Sequence, residues 1–281
     1  MTTASTSEHE KNINSHAGRE ISIGSATLDV EGVNNDTVMD AYGSIVENYF
    51  EHKTDQRSPS NLIDKPALRD LLNGDMEGRV VLDAGGGTGW ATDIILQEVN
   101  PKSVHLVDFS LPMMDKARET IQDDRVSFVL NSLDNIDLPD DSVHMIVASY
   151  SMDCVVNLRE TLTEFTRVLI PEGRLVMLIK HPERNRLYAD RGGFELEEGY
   201  NTWVWENWDG TGDQPVPRRY MSQTQWNQEI LHAGFSNPWP HDPKVTSIVR
   251  QLAPDIWNEY AFRKSSLIIS AVNGGSGNLP L

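Results

Sequence analysis

Arg79-Val80-Val81-Leu82-Asp83-Ala84-Gly85-Gly86-Gly87-Thr88-Gly89 is the stretch on which the fold turns. Its first half is a short apolar run that reads as a buried strand. Its second half places glycines at 85, 87 and 89 directly before a helical pattern over Thr88 to Val99, with Ile94, Ile95 and Leu96 apolar. Without Cβ atoms these positions let backbone approach a ligand closely and take positive φ. Asp83, at the carboxyl end of the strand, can accept from an ammonium directly or through water. Asp108 stands nineteen residues after Gly89 at the end of the next apolar run, where a carboxylate can accept from both ribose hydroxyls. Strand, glycine turn, helix and second acid together describe a nucleoside pocket at the carboxyl edge of a sheet.

Working outward, the alternation continues. Strands are expected at 104–107, 126–130, 143–148 and 174–179, and helices at 111–121 and 156–169, the last with Leu158, Leu162, Phe165 and Leu169 on one side. Strands alternating with helices imply crossover connections and a mostly parallel sheet covered on both faces. The expected class is α/β.

Upstream, Val38, Tyr42, Ile45, Val46, Tyr49 and Phe50 form one stripe at helical spacing, predicting a helix from Asp36 to about Lys53 with Asp36 as its cap. A second short helix around 68–72 follows Pro66. Downstream of His181 the alternation stops, and residues 181–221 hold five glycines, Pro215 and Pro217, and the aromatic cluster Tyr200, Trp203, Trp205 and Trp208. That is too long for an ordinary connection and reads as a functional insert. Helix returns over 223–233, with Gly234 as a left-handed cap, and 266–271 reads as a last strand. The organisation expected is a disordered tail at 1–35, an N-terminal helical lid at 36–78, a binding core at 79–180, an insert for substrate recognition at 181–221, the remainder of the core at 222–272 and a tail at 273–281.

Composition narrows the partners. The chain has 281 residues, of which 38% are hydrophobic, enough for a sizeable core. Its net charge of −18 opposes a phosphate backbone, which needs clustered Lys and Arg. Nucleic acid is therefore disfavoured. Cys154 is the single cysteine, so neither an internal disulfide nor a CxxC metal site exists. No apolar run is long enough to span a membrane, and the first twenty residues lack a signal-like segment. The expected location is the cytoplasm, and a homodimer is left open.

The glycine pattern excludes two nucleotide classes. A dinucleotide fingerprint starting at Gly85 needs glycine at 90, where Trp90 stands, and no Lys–Ser/Thr pair follows for a P-loop. Asp83 to Gly89 instead resembles motif I, DxGxGxG, of the class I S-adenosylmethionine (SAM)-dependent methyltransferases. Three further segments resemble that family in the correct order. Val107-Asp108-Phe109-Ser110-Leu111-Pro112-Met113-Met114 looks like its ribose segment, Asn131 to Ile136 occupies the adenine segment, and Phe165 to Leu175 is similar to its "RVLKPGGRL" run. The match covers about residues 40–181 and is nearest the small-molecule branch that includes ubiquinone/menaquinone-type methyltransferases.

The resemblance implies a Rossmann-like, mostly parallel sheet of seven strands with helices on both faces, SAM as cofactor, and methyl transfer by in-line displacement to a small acceptor, aromatic or amine-bearing, mainly through positioning. It implies a cofactor site made by Tyr42, Asp83, Gly85, Gly87, Gly89, Asp108, Phe109, Met113, Ser132, Leu133 and Ser149. Ser132 stands where the family often has an aspartate on the adenine amino group, and Leu133 can donate its backbone N–H. Tyr42 is the candidate lid over the cofactor. For chemistry, the candidates are His181, the general-base choice after the fifth strand of the core, with Tyr150 and Asp153 in the preceding loop. For the acceptor, Trp203, Trp205 and Trp208 can form an aromatic wall, with Glu206 or Asp209 supporting a cation. Arg218, Arg219 and Tyr220 suit an anion instead, which leaves acceptor polarity open. No grouping of ligands supports a metal. The alternatives are a SAM-using transferase or cyclase that releases methylthioadenosine, and a non-catalytic SAM-binding partner subunit.

Overall fold

A computed structural model of the chain describes residues 27–28, 33–72, 77–192, 195–207 and 215–274. The glycine stretch folds as expected: strand β2 (Val80–Ala84) runs through the glycine turn into helix α4 (Trp90–Glu98). Four more strands follow in parallel register, β3 (Ser103–Asp108), β4 (Val126–Leu130), β5 (Val143–Ser149) and β6 (Leu169–Lys180). The seven-stranded sheet is completed by β9 (Phe235–His241) and β10 (Ser266–Asn273), in the order β4-β3-β2-β5-β6-β10-β9. Only β10 runs against its neighbours.

Chain direction around β2 explains where a ligand sits. From β2 the chain steps outward to β3 and β4 on one side, then crosses back to β5 and β6 on the other. The loops leaving the carboxyl ends of β2 and β5 therefore diverge and open a crevice. Helices cover both faces. Leu162 and Phe165 of α6 (Leu158–Val168) and Trp226 and Ile230 of α8 (Gln223–His232) fill one core. Leu68 and Leu72 of α3 (Lys65–Leu72), with Ile94 and Ile95 of α4, fill the other. Helix α5 (Leu111–Thr120) tucks Met114 and Ala117 against Leu106 of β3.

The N-terminal region departs from a single helix. It is two helices, α1 (Asn35–Ser44) and α2 (Val46–Thr54), broken at Ile45 (φ −108°, ψ 7°) beside the Gly43-Ser44 pair, a sequence that loosens the helical ladder. The cap is Asn34, whose side chain accepts from the Thr37 N–H at 2.9 Å, and not Asp36. A π-helical turn at Ser60–Asp64 then leads into α3, which begins earlier than the 68–72 expectation.

The insert is also more regular than expected. It holds helix α7 (Pro182–Gly192) and a β-hairpin, β7 (Asn201–Asn207) and β8 (Pro215–Met221). The tail expected at 1–35 contributes a third strand, β1 (Thr27–Leu28), paired with Val204 and Trp205. Two short helices not expected, α9 (Ser247–Leu252) and α10 (Pro254–Tyr260), pack on Ile63. The last strand extends to Asn273, and residues 275–281 of the expected tail lie outside the described residues, as do 1–26. Among the described residues no helix is long and apolar enough to cross a membrane.

Candidate functional site

The crevice at the carboxyl ends of β2, β3 and β5 is a cleft open on one side to solvent and lined by residues of all three loops and of the N-terminal helices. Its floor is the glycine turn. Gly85 takes φ +69°, and a Cβ there would sit 2.3 Å from Ser151 Cβ, so only glycine lets the β2 and β5 loops approach this closely. Gly87 takes φ +54°, a Cβ there would meet only Asp108 Oδ2, at 4.0 Å, and its N–H donates to the same oxygen at 2.8 Å. Gly89 serves packing: at φ +88° its Cβ would strike Ile121 Cδ1 at 2.3 Å. It starts α4 and does not line the cleft.

Two acids organise this floor. Asp108 ends β3, accepts from the Ser110 N–H at 2.8 Å on Oδ1 and from Gly87 on Oδ2, and is held against the cleft. Burial pushes its carboxyl up, and those backbone N–H donors pull it down. Asp83 is fully buried behind the turn: Oδ2 accepts from the Thr92 hydroxyl at 2.6 Å, while Oδ1 has no partner among the described residues. Burial raises the Asp83 carboxyl to about 7. A buried carboxylate with an open oxygen is expensive unless a donor or cation reaches it.

Several residues named for the cofactor stand in the walls. Tyr42, Gly85, Gly87, Asp108 and Phe109 line the cleft, as do Met113, Ser132, Leu133 and Ser149. Asp134 lines it too and escaped the sequence reading. It accepts from the hydroxyl of Ser132 and, at 2.6 Å, from the Asn157 side chain, so the acid of this segment is present two residues beyond Ser132. Three buried hydroxyls lining the cleft, Ser110, Ser149 and Thr161, have no hydrogen-bond partner among the described residues. Such groups need partners, and a polar ligand of nucleoside size would supply them.

The candidate chemical residues separate. Tyr150 lines the cleft in a left-handed conformation, φ +57°, which costs a non-glycine residue about 1 kcal/mol. It is held there by its N–H to Leu178 O at 2.7 Å and its hydroxyl to Asp64 Oδ2 at 2.7 Å. Burial and the Asp64 charge raise its phenol well above the usual value. Asp64 also accepts from Ser266 at 2.5 Å, and the Lys53 ammonium lies over the rings of Trp90 and Tyr150 at 4.4 and 4.5 Å. His181 stands apart from the cleft. Its Nδ1 accepts from the Glu183 N–H at 3.1 Å and its carbonyl accepts from Arg184 and Asn185, so it caps α7, while Nε2 meets Asp242 at 3.2 Å. Burial lowers its pKa. Asp153 is buried and paired with Arg218 at 3.1 Å.

None of the expected acceptor residues among those described lines the cleft itself. Arg219 bonds the carbonyls of Val155 and Val156, two wall residues, at 3.2 and 2.9 Å and stacks over Trp203 at 4.7 Å. Tyr220 is buried with its hydroxyl on Glu206 at 2.7 Å. Glu206 therefore supports the hairpin from inside and is not a wall charge. Trp205 pairs with Thr27, and Trp208 and Asp209 lie outside the described residues. Among the described residues no group of three or more His, Cys, Asp or Glu is placed to hold a metal ion.

Comparison with known proteins agrees with this geometry. Residues 82–177 match the family model described as a methyltransferase domain. Among curated relatives, a malonyl-[acyl-carrier protein] O-methyltransferase of Halorhodospira halophila is 26% identical over 211 residues, covering 75% of this chain; the chain spans 65% of that relative's length. A SAM-dependent methyltransferase structure from Listeria monocytogenes superposes with a TM-score of 0.61 at 17% identity, over 74% of this chain and 96% of the other. The Burkholderia thailandensis 1,6-didemethyltoxoflavin-N1-methyltransferase, with its substrate and S-adenosylhomocysteine bound, gives 0.58 at 15% identity, over 88% and 94%. At these identities the structures speak for the fold, and the matched segment runs from the last three residues of β2 through the glycine turn and Asp108 to β5 and beyond. Residues 82–177 thus match a methyltransferase domain, and the chain is similar in fold to SAM-dependent methyltransferases.

Proposed function

We propose that the chain transfers the methyl group of SAM to a small-molecule acceptor. The observation that carries this reading is the cleft floor: an open Gly87 whose amide is tied to Asp108, beside three buried hydroxyls awaiting partners. The residues present fit the cofactor. Asp108 would hold the ribose hydroxyls, Asp83 with its open Oδ1 would face the ammonium, and Asp134 and Leu133 would meet the adenine edge. When bound, SAM supplies a sulfonium-activated methyl group, so the protein has little bond-making of its own to do. Tyr42 and Tyr49 line the cleft on the N-terminal helices and exclude water from it. Tyr150, pinned by Asp64, fixes the loop after β5 so that the reacting groups are held in line. A small organic acceptor is supported by the −18 charge, which opposes a nucleic-acid partner. The soluble intracellular setting and any homodimer remain part of the same proposal.

The test is incubation with methyl-labelled SAM and a fractionated metabolite extract, reading label and both nucleoside products by mass spectrometry. Label in a small molecule with stoichiometric S-adenosylhomocysteine is the expected result. Methylthioadenosine without transferred label would overturn it in favour of non-methylating chemistry.

A further inference from the structure

The main sheet ends in two edge strands, β9 and β4, and the chain guards only one of them. Strand β9 carries Pro238 and Pro240, a left-handed Asn237 at φ +51° and a register shift against β10. Each of these keeps an edge from pairing further. Strand β4 has none of them. Val126-Ser127-Phe128-Val129-Leu130 contains no proline, glycine or charge and keeps an unbroken register with β3. The phase of that ladder is fixed at both ends, where the Val104 N–H donates to Arg125 O at 2.9 Å and the Asn131 N–H to Asp108 O at 3.0 Å. The amides of Ser127, Val129 and Asn131 therefore turn toward β3. By alternation the N–H and C=O of Phe128 and Leu130, with the C=O of Val126, point off the sheet. None of these groups has a hydrogen-bond partner among the described residues.

The surface beside this edge is apolar and locally balanced in a chain of −18. Leu130 is 49% exposed, and Leu111, which starts the neighbouring α5, is 48% exposed. The Phe128 ring lies under the Arg118 guanidinium at 5.8 Å. Of the acids nearby, Asp115 pairs with Arg118, Glu119 with Lys116 and Asp123 with Arg125. A strongly charged partner finds little unbalanced charge to grip along this strand, and an identical strand needs none.

We propose that β4 is the contact between two copies of this chain, paired antiparallel about a twofold axis at Phe128 so that their sheets join into one. Phe128 then faces Phe128, N–H to C=O in both directions, and each Leu130 N–H reaches the Val126 C=O of the other copy. Leu130 packs across from Val126. The charges select this register. With the axis at Val129 instead, Asp124 of one copy comes opposite Asp134 of the other, and like charges so placed destabilise a pair. With the axis at Phe128, Asp124 comes opposite Ser132. The contact is isologous and closes after two copies. The carboxyl ends of the paired strands point in opposite directions, so the two clefts open at opposite ends of the joined sheet and each stays complete within its own chain. The proposal is independent of the methyl-transfer reading.

Sedimentation and backbone amide exchange of the full chain test it. The wild type is expected at twice the chain mass at micromolar concentration, with exchange at Phe128 and Leu130 slowing as concentration rises. Leu130→Pro removes an outward donor without touching the bonds to β3, and Leu130→Lys sets a charge in the apolar seam. Each is expected to weaken association about 10-fold or more. Circular dichroism shows whether the variants are folded, and if Leu130→Pro is not, Leu130→Lys decides. Raising sodium chloride from low to physiological strength strengthens the association, because it screens the repulsion between two acidic chains. A wild type that stays monomeric across that range, a dimer that survives both substitutions, or exchange at Phe128 and Leu130 that ignores concentration would each overturn the proposal. Protection of those amides only on adding poly-lysine, fading with salt, would overturn it in favour of a cationic partner.

Discussion

Gly87 and Gly89 both take positive φ, yet a methyl group added at each meets different surroundings. Gly87→Ala strains the backbone by about 1–2 kcal/mol without a clash, and its Cβ would project into the space a ligand needs. Gly89→Ala adds a collision with Ile121 to the same strain, for roughly 2–4 kcal/mol in total. The expected outcome is a small melting shift with lost S-adenosylhomocysteine affinity for G87A, and a large melting shift for G89A; equal shifts would refute the assignment. Asp83 makes a second prediction. Its folded pKa, about 7, lies above the roughly 3.9 of an unfolded aspartate. Between those values the folded protein binds the extra proton, so ligand-free stability from this group falls as pH rises through the window. A ligand ammonium favours the carboxylate, so binding near neutral pH should release a proton. Calorimetry of S-adenosylhomocysteine binding in buffers of different ionisation heat measures this, and Asp83→Asn should abolish the release. At this scale most of the floor was legible because glycine and aspartate have few substitutes there. Asp134 was not, since serine and aspartate alternate through 132–134 and only three-dimensional placement chooses between them.

Among the elements, the N-terminal helices owe their position to a buried polar knot. Asp64, Tyr150 and Ser266 join the π-helical turn, the β5 loop and β10, with Lys53 of α2 against the same rings. Asp64→Ala removes the charge that favours the buried Lys53 ammonium and leaves the Tyr150 and Ser266 hydroxyls without their acceptor, and should cost about 3–5 kcal/mol in urea unfolding; Tyr150→Phe removes one donor and should cost about 1–3 kcal/mol. A D64A loss no larger than that of Y150F would show the knot to be incidental. Such a knot is invisible in sequence, where its members are separated by up to 202 positions. The parallel strands were legible because they are buried on both faces and read as unbroken apolar runs. Strand β7 was hidden for the opposite reason. Its inner positions, Val204 and Glu206, include a charge, and its outer positions include Trp203 and Trp205. Strand β9 carries Pro238 and Pro240, which an edge strand tolerates but which a reader takes for a loop.

For the molecule as a whole, a charge of −18 acts on every part of the fold at once. Self-repulsion of that size destabilises the compact state and is screened by salt. The melting temperature should therefore rise as sodium chloride is brought from low to physiological ionic strength, and a fall would mean that ion pairs such as Arg159–Glu229 outweigh the repulsion. One local feature has a practical reach beyond its size. Thr27 and Leu28 pair with Trp205 and Val204 from a position only a few residues ahead of α1. Trimming the chain to the start of α1 would strip β7 of that partner and bare a Trp-Val-Trp edge whose unpaired amides and carbonyls can template another copy. A shortened version of this protein should then lose solubility before it loses its fold, and handling it calls for leaving those two residues in place.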